Sequence, residues 1–302
     1  MKQSNKHAFL IMAHTQPKLL KRLLNRLNHK NVDIFLHLDK KAAFNEKELL
    51  ESVTYPKLYL TPRLAVTWGG DSIIQAELLL LEKATNTGKY SYYHFLSGQD
   101  YLLQSIDEVL DFYDRTPDLN YISFKYDEAV FFIDRLRLTY PFQNLIGRTH
   151  SGLYYLQHFL NKLQKAFKLY RTIPESVGFG SQFFDITDDF ARWIVNNQAN
   201  WKRIYKNTVC ADEMFVQTAF LIYSKENSAK LCRQEETDYK TFDRAGLTIK
   251  RATDWKRGRP YVWSKEDFET LKASHLLFVR KVDETKSKEL LDILDRNCGT
   301  AP

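Results

Sequence analysis

The sequence predicts an α/β fold with a Rossmann-like, mostly parallel sheet that is flanked by helices. Two apolar strands with a helix between them open the chain within about 35 residues, which is typical of a βαβ unit with parallel strands. Strand-like and helix-like segments go on alternating after this unit. Polar or glycine-containing segments follow several strands, where open α/β sheets bind ligands.

Hydrophobic periodicity predicts each element. Residues 8–13 are an uninterrupted apolar run, typical of a buried strand, and leucines at helical spacing follow Pro17. Ser105 is a predicted N-cap, and Ser264 with Asp267 resembles a capping box. In chain order we expect strands at 8–13, 32–38, 57–60, 92–96, 121–124, 181–187 and 276–279, and helices at 19–27, 72–84, 106–113, 150–171, 188–196, 212–224, after 264 and at 284–297.

Composition predicts one folded domain. Hydrophobic residues make up 44% of the 302 residues, which is enough for a sizeable core and argues against disorder. There is no internal repeat, low-complexity stretch or obvious linker. The 14% of aromatic residues fit either an aromatic core or sugar-binding surfaces.

The net charge of +7 suits three kinds of partner: nucleic acid, an anionic membrane or a phosphorylated ligand. Lysine and arginine are spread along the chain without a nucleic-acid-binding signature, so we expect no nucleic acid partner. Residues 150–171 predict a basic amphipathic helix. This helix either packs on the domain or contacts an anionic membrane surface peripherally.

Cysteine usage and the N-terminus predict a cytoplasmic protein. Cys210, Cys232 and Cys298 are an odd number at wide spacings, without a metal-binding pattern, which favours a reducing compartment. The apolar run at 8–13 is far too short to span a bilayer.

Three segments carry the functional prediction: residues 67–72, 96–103 and 211–218. In this order on an α/β background they indicate sugar transfer from a nucleotide donor. The third offers Asp212 and Glu213 at a helix start, where acids also serve simply as caps. Neighbouring helical residues point about 100° apart, so one acid can cap while the other acts as general base.

Two residues at predicted strand ends, His14 and Asp39, are candidates for nucleotide binding. Asp39 suits a ribose hydroxyl or a base N–H, and the alternative is an acid that caps a turn. The chain has neither a Gly-x-Gly-x-x-Gly nor a Walker-type segment, which argues against a dehydrogenase or a P-loop enzyme.

A metal-binding Asp-x-Asp pair after a strand near residue 95 is also missing, and Asp71 and Asp100 are single acids. A diphosphate bound without metal needs basic side chains. Those available in the last quarter of the chain are Arg257, Arg259, Arg280 and Lys281.

The chain resembles the core-2/I-branching β-1,6-N-acetylglucosaminyltransferases, the family that also contains peptide O-xylosyltransferases. The resemblance covers most of the chain and is carried by the segments 7–17, 37–41, 68–70, 96–103, 180–184, 212–213 and 277–281. It implies a GT-A-type fold, a nucleotide-sugar donor, inversion at the anomeric carbon and no need for a metal or other cofactor. One domain is then expected over 1–302, with a nucleotide-binding part at about 1–125 and an acceptor and catalytic part at about 126–302.

The resemblance also assigns roles to residues. It makes Glu213 the catalytic base, Lys281 a diphosphate ligand together with Arg257 or Arg259, and Asp39 a uridine contact. We further count His14 and Asp100 among the donor-site candidates. Candidates for the acceptor or the reacting sugar are Trp68, Asp127, Glu128, Arg135, Gln182 and Trp255.

Two departures from animal members of the family, no membrane anchor and no set of paired cysteines, suggest a bacterial enzyme. We expect UDP-N-acetylglucosamine as the first donor, ahead of UDP-xylose and other UDP-hexoses. A glycan, glycolipid or glycoprotein is expected as acceptor. The alternative is a carbohydrate- or nucleotide-binding protein without transferase activity, and a nucleic-acid-binding protein is a weaker one that rests on charge alone.

Overall fold

The computed structural model describes residues 6–125, 128–232 and 242–298. Within these residues the strands are β1 (His7–Ala13), β2 (Val32–Leu38), β3 (Lys57–Leu60), β4 (Tyr92–Ser97), β5 (Asp100–Leu102), β6 (Leu119–Ile122), β7 (Phe184–Thr187), β8 (Lys230–Leu231), β9 (Arg251–Ala252) and β10 (Phe278–Arg280). The first, second and fourth strands match their predicted positions closely, because long apolar runs mark them in the sequence.

The helices of the same described ranges are α1 (Pro17–Arg26), α2 (Glu46–Leu50), α3 (Ser72–Thr87), α4 (Ile106–Asp114), α5 (Ala129–Phe132), α6 (Asp134–Arg137), α7 (Gln143–Ile146), α8 (Gly152–Ala166), α9 (Asp188–Asn196), α10 (Gln198–Tyr205), α11 (Asp212–Glu226), α12 (Arg244–Thr248), α13 (Phe268–Ala273) and α14 (Lys288–Cys298). A 3₁₀ helix covers Lys265–Asp267. Both predicted N-terminal caps are confirmed, since Ser105 with Glu108 and Ser264 with Asp267 form reciprocal capping boxes.

The main sheet has seven strands in the order β3-β2-β1-β4-β7-β6-β8. Strands β3, β2, β1 and β4 are parallel, which confirms the predicted mostly parallel α/β sheet. Strand β7 runs antiparallel to β4 and β6. Strands β5, β10 and β9 form a second, smaller sheet, which the prediction lacks because β5 and β9 are too short for a periodicity signal.

Along β1, the side chains of successive residues point to opposite faces of the main sheet, and each face has its own hydrophobic core. Phe9 and Ile11 lie in one core with the leucines of α1 and α14, whereas Ala8 and Leu10 lie in the other with α3, α9 and α11. Helices cover both faces, as a parallel sheet requires. Elements from before and after residue 125 contribute to each core.

Several predicted boundaries are wrong because side chains bind the backbone there. The strand expected at 181–187 begins at Phe184, since the N–H of Ser181 donates instead to the hydroxyl of Ser123. The last helix starts at Lys288, since the Asp283 carboxylate holds the preceding turn. The predicted amphipathic helix does lie against the domain, through the buried Gln157, whereas Phe159 and Phe167 are 56% and 70% exposed.

Gly180 sits where the backbone has no room for a side chain. A Cβ there would lie 2.0 Å from the carbonyl oxygen of Ser123. The N–H of Gly180 also donates to the carbonyl oxygen of Glu213, at 2.9 Å. The first residues of α11 therefore depend on this close approach.

We expect Gly180→Ala to lower the free energy of unfolding by roughly 2–4 kcal/mol, because two backbone segments must separate to admit the methyl group. Gly152→Ala, at the exposed start of α8 with no atom within 4 Å of its Cβ, is the matched control and should stay within about 1 kcal/mol of wild type. Chemical unfolding of both variants checks this, and equal stabilities would contradict the described packing.

Candidate active site

The loops after β1, β2 and β4 meet at one edge of the main sheet. The N–H of Asp39 donates to the carbonyl of Ala13, and the N–H of Gly98 donates to that of Met12, each at 2.9 Å. These contacts place His14, Asp39 and the loop after β4 side by side. The strand order reverses direction at β1, so this edge is the topological switch point where α/β sheets bind ligands.

Asp39 is buried at this edge and caps a turn with one oxygen. Its Oδ1 accepts the N–H of Lys41 at 2.7 Å, and its Oδ2 lies 4.0 Å from the Lys41 ammonium. The turn-capping alternative is therefore observed, while among the described residues Oδ2 has this long ion pair as its one side-chain partner. The uridine contact at Asp39 stays a prediction.

The second sheet brings the C-terminal part of the chain to the same edge. In it, Arg280 of β10 pairs with Asp100 of β5. Asp100 is fully buried, and its Oδ1 lies 3.4 Å from Arg280 Nη1 and 3.8 Å from Arg251 Nε. Its Oδ2 accepts the N–H of Ser97 at 2.5 Å. Asp100 thus holds two guanidinium groups in place from inside the protein.

Lys281, next to Arg280, lies in a basic cluster with Arg148, and His14 lies beside this cluster. Burial lowers the pKa of Lys281, and the charges of Arg280 and Arg148 lower it further. Burial also lowers the pKa of His14, where Asp39 acts in the opposite sense and Lys281, Arg280 and Arg148 in the same sense. In the described part of the chain no hydrogen bond or ion pair is assigned to the Lys281 ammonium, so the cluster suits an anionic ligand.

The two alternative arginines differ in their surroundings. Arg257 donates to Asp254 at 2.5 Å and to Asp267 at 2.7 Å, and its guanidinium lies over the ring of Tyr261. Arg259 is exposed and has no ion pair to a residue of the described ranges. Arg259 is therefore the arginine whose charge is available to a ligand.

Glu213 lies in the first turn of α11 and is held by Arg135. The Arg135 Nη1 lies 2.5 Å from Glu213 Oε2 and 3.2 Å from the carbonyl oxygen of Cys210. The same guanidinium lies 4.2 Å from the centroid of the Phe132 ring. The Glu213 side chain is 36% exposed, and its Oε1 has no hydrogen bond to any described residue.

Two further contacts bring the sequence segments together around the start of α11. The N–H of Cys210 donates to the carbonyl of Gly69 at 2.8 Å, which joins the tryptophan-glycine turn to this helix. The Asp71 carboxylate accepts hydrogen bonds from the side-chain amide of Asn144 and from the backbone N–H of Asn207. Asp71 therefore links the tryptophan-glycine turn to two other loops and stabilises their positions.

Asp212 is buried beside a second carboxyl group, that of Glu77. Burial raises the pKa of Asp212 to about 7, and the charge of Glu213 adds to this shift. Glu77 of α3 is fully buried, and its pKa is well above its usual range because of burial first and Asp212 second, while Gln182 opposes the shift. The sequence analysis did not single out Glu77, because it is one acid within a largely apolar helix and has no recognisable pattern around it.

Of the acceptor candidates, Arg135 and the turn that carries Trp68 contact the start of α11. The rings of Trp68 and Trp255 are 50% and 52% exposed, and the Arg148 guanidinium lies 4.7 Å from the centroid of the Trp68 ring. Glu128 lies 3.9 Å from the Lys125 ammonium. Asp127 lies outside the described residues. The sequence prediction missed Arg148, a single basic residue in a loop without a recognisable pattern.

Metal-type clusters and membrane-spanning helices are absent from the ranges that the structure describes. No group of three or more His, Cys, Asp and Glu side chains there is arranged to hold a metal ion. None of the helices there has the length and apolar character that crossing a bilayer requires. The cytoplasmic location and the lack of a metal stay predictions.

The sequence model described as "Branch: Core-2/I-Branching enzyme" matches residues 7–276. The chain belongs to the Core-2/I-Branching enzyme family. It is therefore a glycosyltransferase family member, and membership agrees with the GT-A-type class predicted for its Rossmann-like sheet.

Animal xylosyltransferases are among the curated relatives of this chain. Xylosyltransferase 2 of Rattus norvegicus is 24% identical over 301 residues, which cover 95% of this chain and 33% of that protein. Xylosyltransferase 1 of Homo sapiens is 22% identical over 306 residues, which cover 95% of this chain and 30% of that protein. The chain thus spans about a third of the length of the relatives it matches.

Solved structures give only distant similarity. The crystal structure of S. aureus TarS has a TM-score of 0.29 and 13% identity, over 39% of this chain and 21% of that chain. A cytidylyltransferase from Leptospira borgpetersenii has a TM-score of 0.27 and 13% identity, over 74% of this chain and 95% of that one. Neither likeness bears on the fold or the function.

The buried carboxyl pair predicts a pH-dependent stability. The pKa of Asp212 is raised from about 4 in an unfolded chain to about 7, so folding favours its protonated form and stability is lost as pH rises between these values. Asp212→Asn should gain roughly 1–3 kcal/mol over wild type as pH goes from 4 to 8. Glu77, Glu213, Cys210 and Arg135 face this group and remain in the variant.

Unfolding by denaturant at several pH values measures this difference. Parallel stability curves for wild type and Asp212→Asn would contradict the raised pKa. The control is Asp189→Asn, which removes an acid from the first turn of α9. Its difference from wild type in the free energy of unfolding should not change with pH.

Proposed function

We propose that this protein is an inverting glycosyltransferase that moves a sugar from a UDP-sugar to a hydroxyl group of a glycan acceptor. The observation that carries the proposal is Glu213, an accessible carboxylate that Arg135 holds at the start of α11. The basic cluster of Arg148 and Lys281, with His14 beside it, supports the proposal because it suits the diphosphate of the donor.

The proposed reaction is a single displacement. Glu213 Oε1 takes the proton of the acceptor hydroxyl while that oxygen forms a bond to the anomeric carbon. The bond between the anomeric carbon and the diphosphate oxygen breaks on the opposite face and releases UDP, which inverts the configuration. Arg135 occupies Oε2 and so fixes the carboxylate with its other oxygen available.

Basic side chains take the role of a metal in this proposal. Lys281 stabilises the negative charge that develops on the leaving diphosphate, and Arg259 or Arg148 adds to it. Among the two arginines suggested by the sequence, Arg259 is favoured because two carboxylates already neutralise Arg257. Addition of EDTA should therefore leave UDP binding and turnover unchanged.

There are two leading candidates for the transferred sugar, N-acetylglucosamine and xylose. The resemblance in sequence puts N-acetylglucosamine first, whereas the names of the curated relatives put xylose first. We propose a glycan, glycolipid or glycoprotein as acceptor, with Trp68 and Trp255 available as exposed rings for stacking on sugars. A screen of UDP release and thermal stabilisation across UDP-N-acetylglucosamine, UDP-xylose, UDP-glucose and UDP-galactose separates the donors.

We expect Glu213→Gln to lower turnover about 10²–10⁴-fold while UDP affinity stays the same, because the amide cannot take the proton. Glu226→Gln, an exposed acid at the other end of the same helix, is the matched control and should retain full turnover. Steady-state UDP release and calorimetric UDP titration measure the two quantities. Near-normal turnover of Glu213→Gln would remove it as the base and favour a binding protein on the same fold.

For Lys281→Ala we expect UDP affinity to fall by about tenfold or more, since a hydrogen bond from a charged group contributes about 1.5–3 kcal/mol. Lys286→Ala changes an exposed lysine in the following turn and should bind UDP as wild type does. Titration calorimetry in the presence and absence of EDTA makes the comparison. Equal affinities of both variants would exclude Lys281 from the donor site.

A further inference from the structure

The helix α8 contacts the rest of the protein through two glutamine side chains. Gln157 is buried, where its Oε1 accepts the N–H of Phe142 and its Nε2 donates to the carbonyl of Thr139, both at 3.2 Å. Gln164, two turns later, accepts the N–H of Thr139 at 2.8 Å. Hydrogen bonds to backbone groups thus fix this helix, in place of the usual apolar packing.

The apolar residues of α8 lie beside these glutamines on the helix surface, and most of them are exposed to solvent. They lie at helical spacing along one stripe, the α8 apolar face, and their exposed fractions are Leu153 37%, Leu156 42%, Phe159 56%, Leu163 36% and Phe167 70%. Leu169 and Tyr170 continue the exposure beyond the helix end at 62% and 42%. A contiguous apolar stripe of this kind marks an interaction surface.

The segment that carries this stripe is basic and has no acidic residue of its own. Residues 135–174 contain no Asp or Glu. Their basic residues are Arg135, Arg137, Arg148, Lys162, Lys165, Lys168 and Arg171. Within the described ranges Lys165 pairs with Asp134 and Arg171 donates to backbone carbonyls, whereas Lys162 and Lys168 are exposed without an assigned ion pair.

We propose that the α8 apolar face docks on an anionic lipid surface, with Lys162 and Lys168 at the level of the lipid headgroups. Leucine and phenylalanine side chains beside flexible lysines are the composition of helices that lie in a membrane interface. A second copy of this chain fits less well, because an isologous contact would bring the lysines of both copies together. The charge of the stripe's surroundings complements phosphate headgroups instead.

The docked helix is joined to the candidate acceptor side of the site. Its glutamines bind Thr139 and Phe142, and the N–H of Arg171 donates to the carbonyl of Arg137. These residues follow Arg135, the partner of Glu213, within one short segment. Resting on the proposed function, this placement favours a lipid-linked acceptor over a soluble glycan, while the docking itself does not depend on transferase activity.

Vesicle co-sedimentation of the whole chain without any donor tests the docking. We expect binding to vesicles that contain phosphatidylglycerol and at least ~10-fold weaker binding to pure phosphatidylcholine, because each lysine near an anionic surface contributes about 1 kcal/mol. The double change Lys162→Glu and Lys168→Glu should weaken binding to anionic vesicles by ~10-fold or more. The double change Phe159→Ser and Phe167→Ser should abolish binding to both vesicle types.

Tyr55→Ser, which alters a 66% exposed aromatic residue on another part of the surface, should bind vesicles as wild type does. Circular dichroism and UDP affinity of each variant should be unchanged, which separates loss of docking from misfolding or loss of the donor site. No binding of wild type to anionic vesicles would overturn the proposal. So would a wild-type dimer in sedimentation velocity that the phenylalanine variant converts to monomer, since a second copy would then cover the stripe.

Discussion

The candidate site at the edge of the main sheet depends on one buried carboxylate, that of Asp100. It lies between Arg251 and Arg280, and the ring of Phe183 lies 4.7 Å and 4.4 Å from these two guanidinium groups. Removal of one partner from such a buried group of charges typically costs about 3–5 kcal/mol, because unpaired charge is left inside. The pairing seats β10 beside β5 and so carries Lys281 from the end of the chain to the switch point near β1.

A second constraint governs the start of α11, where two adjacent acids have different surroundings. Asp212 is enclosed beside Glu77 and is driven towards its protonated form by burial. Glu213 is one residue further around the helix, reaches solvent and is balanced by Arg135. The angular step of a helix therefore separates a carboxyl group that belongs to the core from one that reaches solvent.

The third feature is the difference on α8 between the glutamines, which bind the protein, and the apolar residues, which are largely exposed. Glutamine side chains satisfy backbone groups of the segment after Arg135, and the leucine and phenylalanine stripe is left outside. A pattern of apolar and polar residues fixes which residues share a face, but not which face meets the protein. Here the hydrogen-bonding demand of Thr139 and Phe142 selects the glutamine side chains.

The sequence established the parallel α/β core, since the apolar runs of β1, β2 and β4 and the capping boxes at Ser105 and Ser264 are local signals. It also indicated the family and named Glu213 and Lys281 as candidates, because their segments are short and distinctive. Only the tertiary structure placed Arg135 against Glu213, Arg148 over Trp68 and Glu77 beside Asp212. Contacts between residues so far apart in the chain arise from tertiary packing, and local periodicity in the sequence does not predict them.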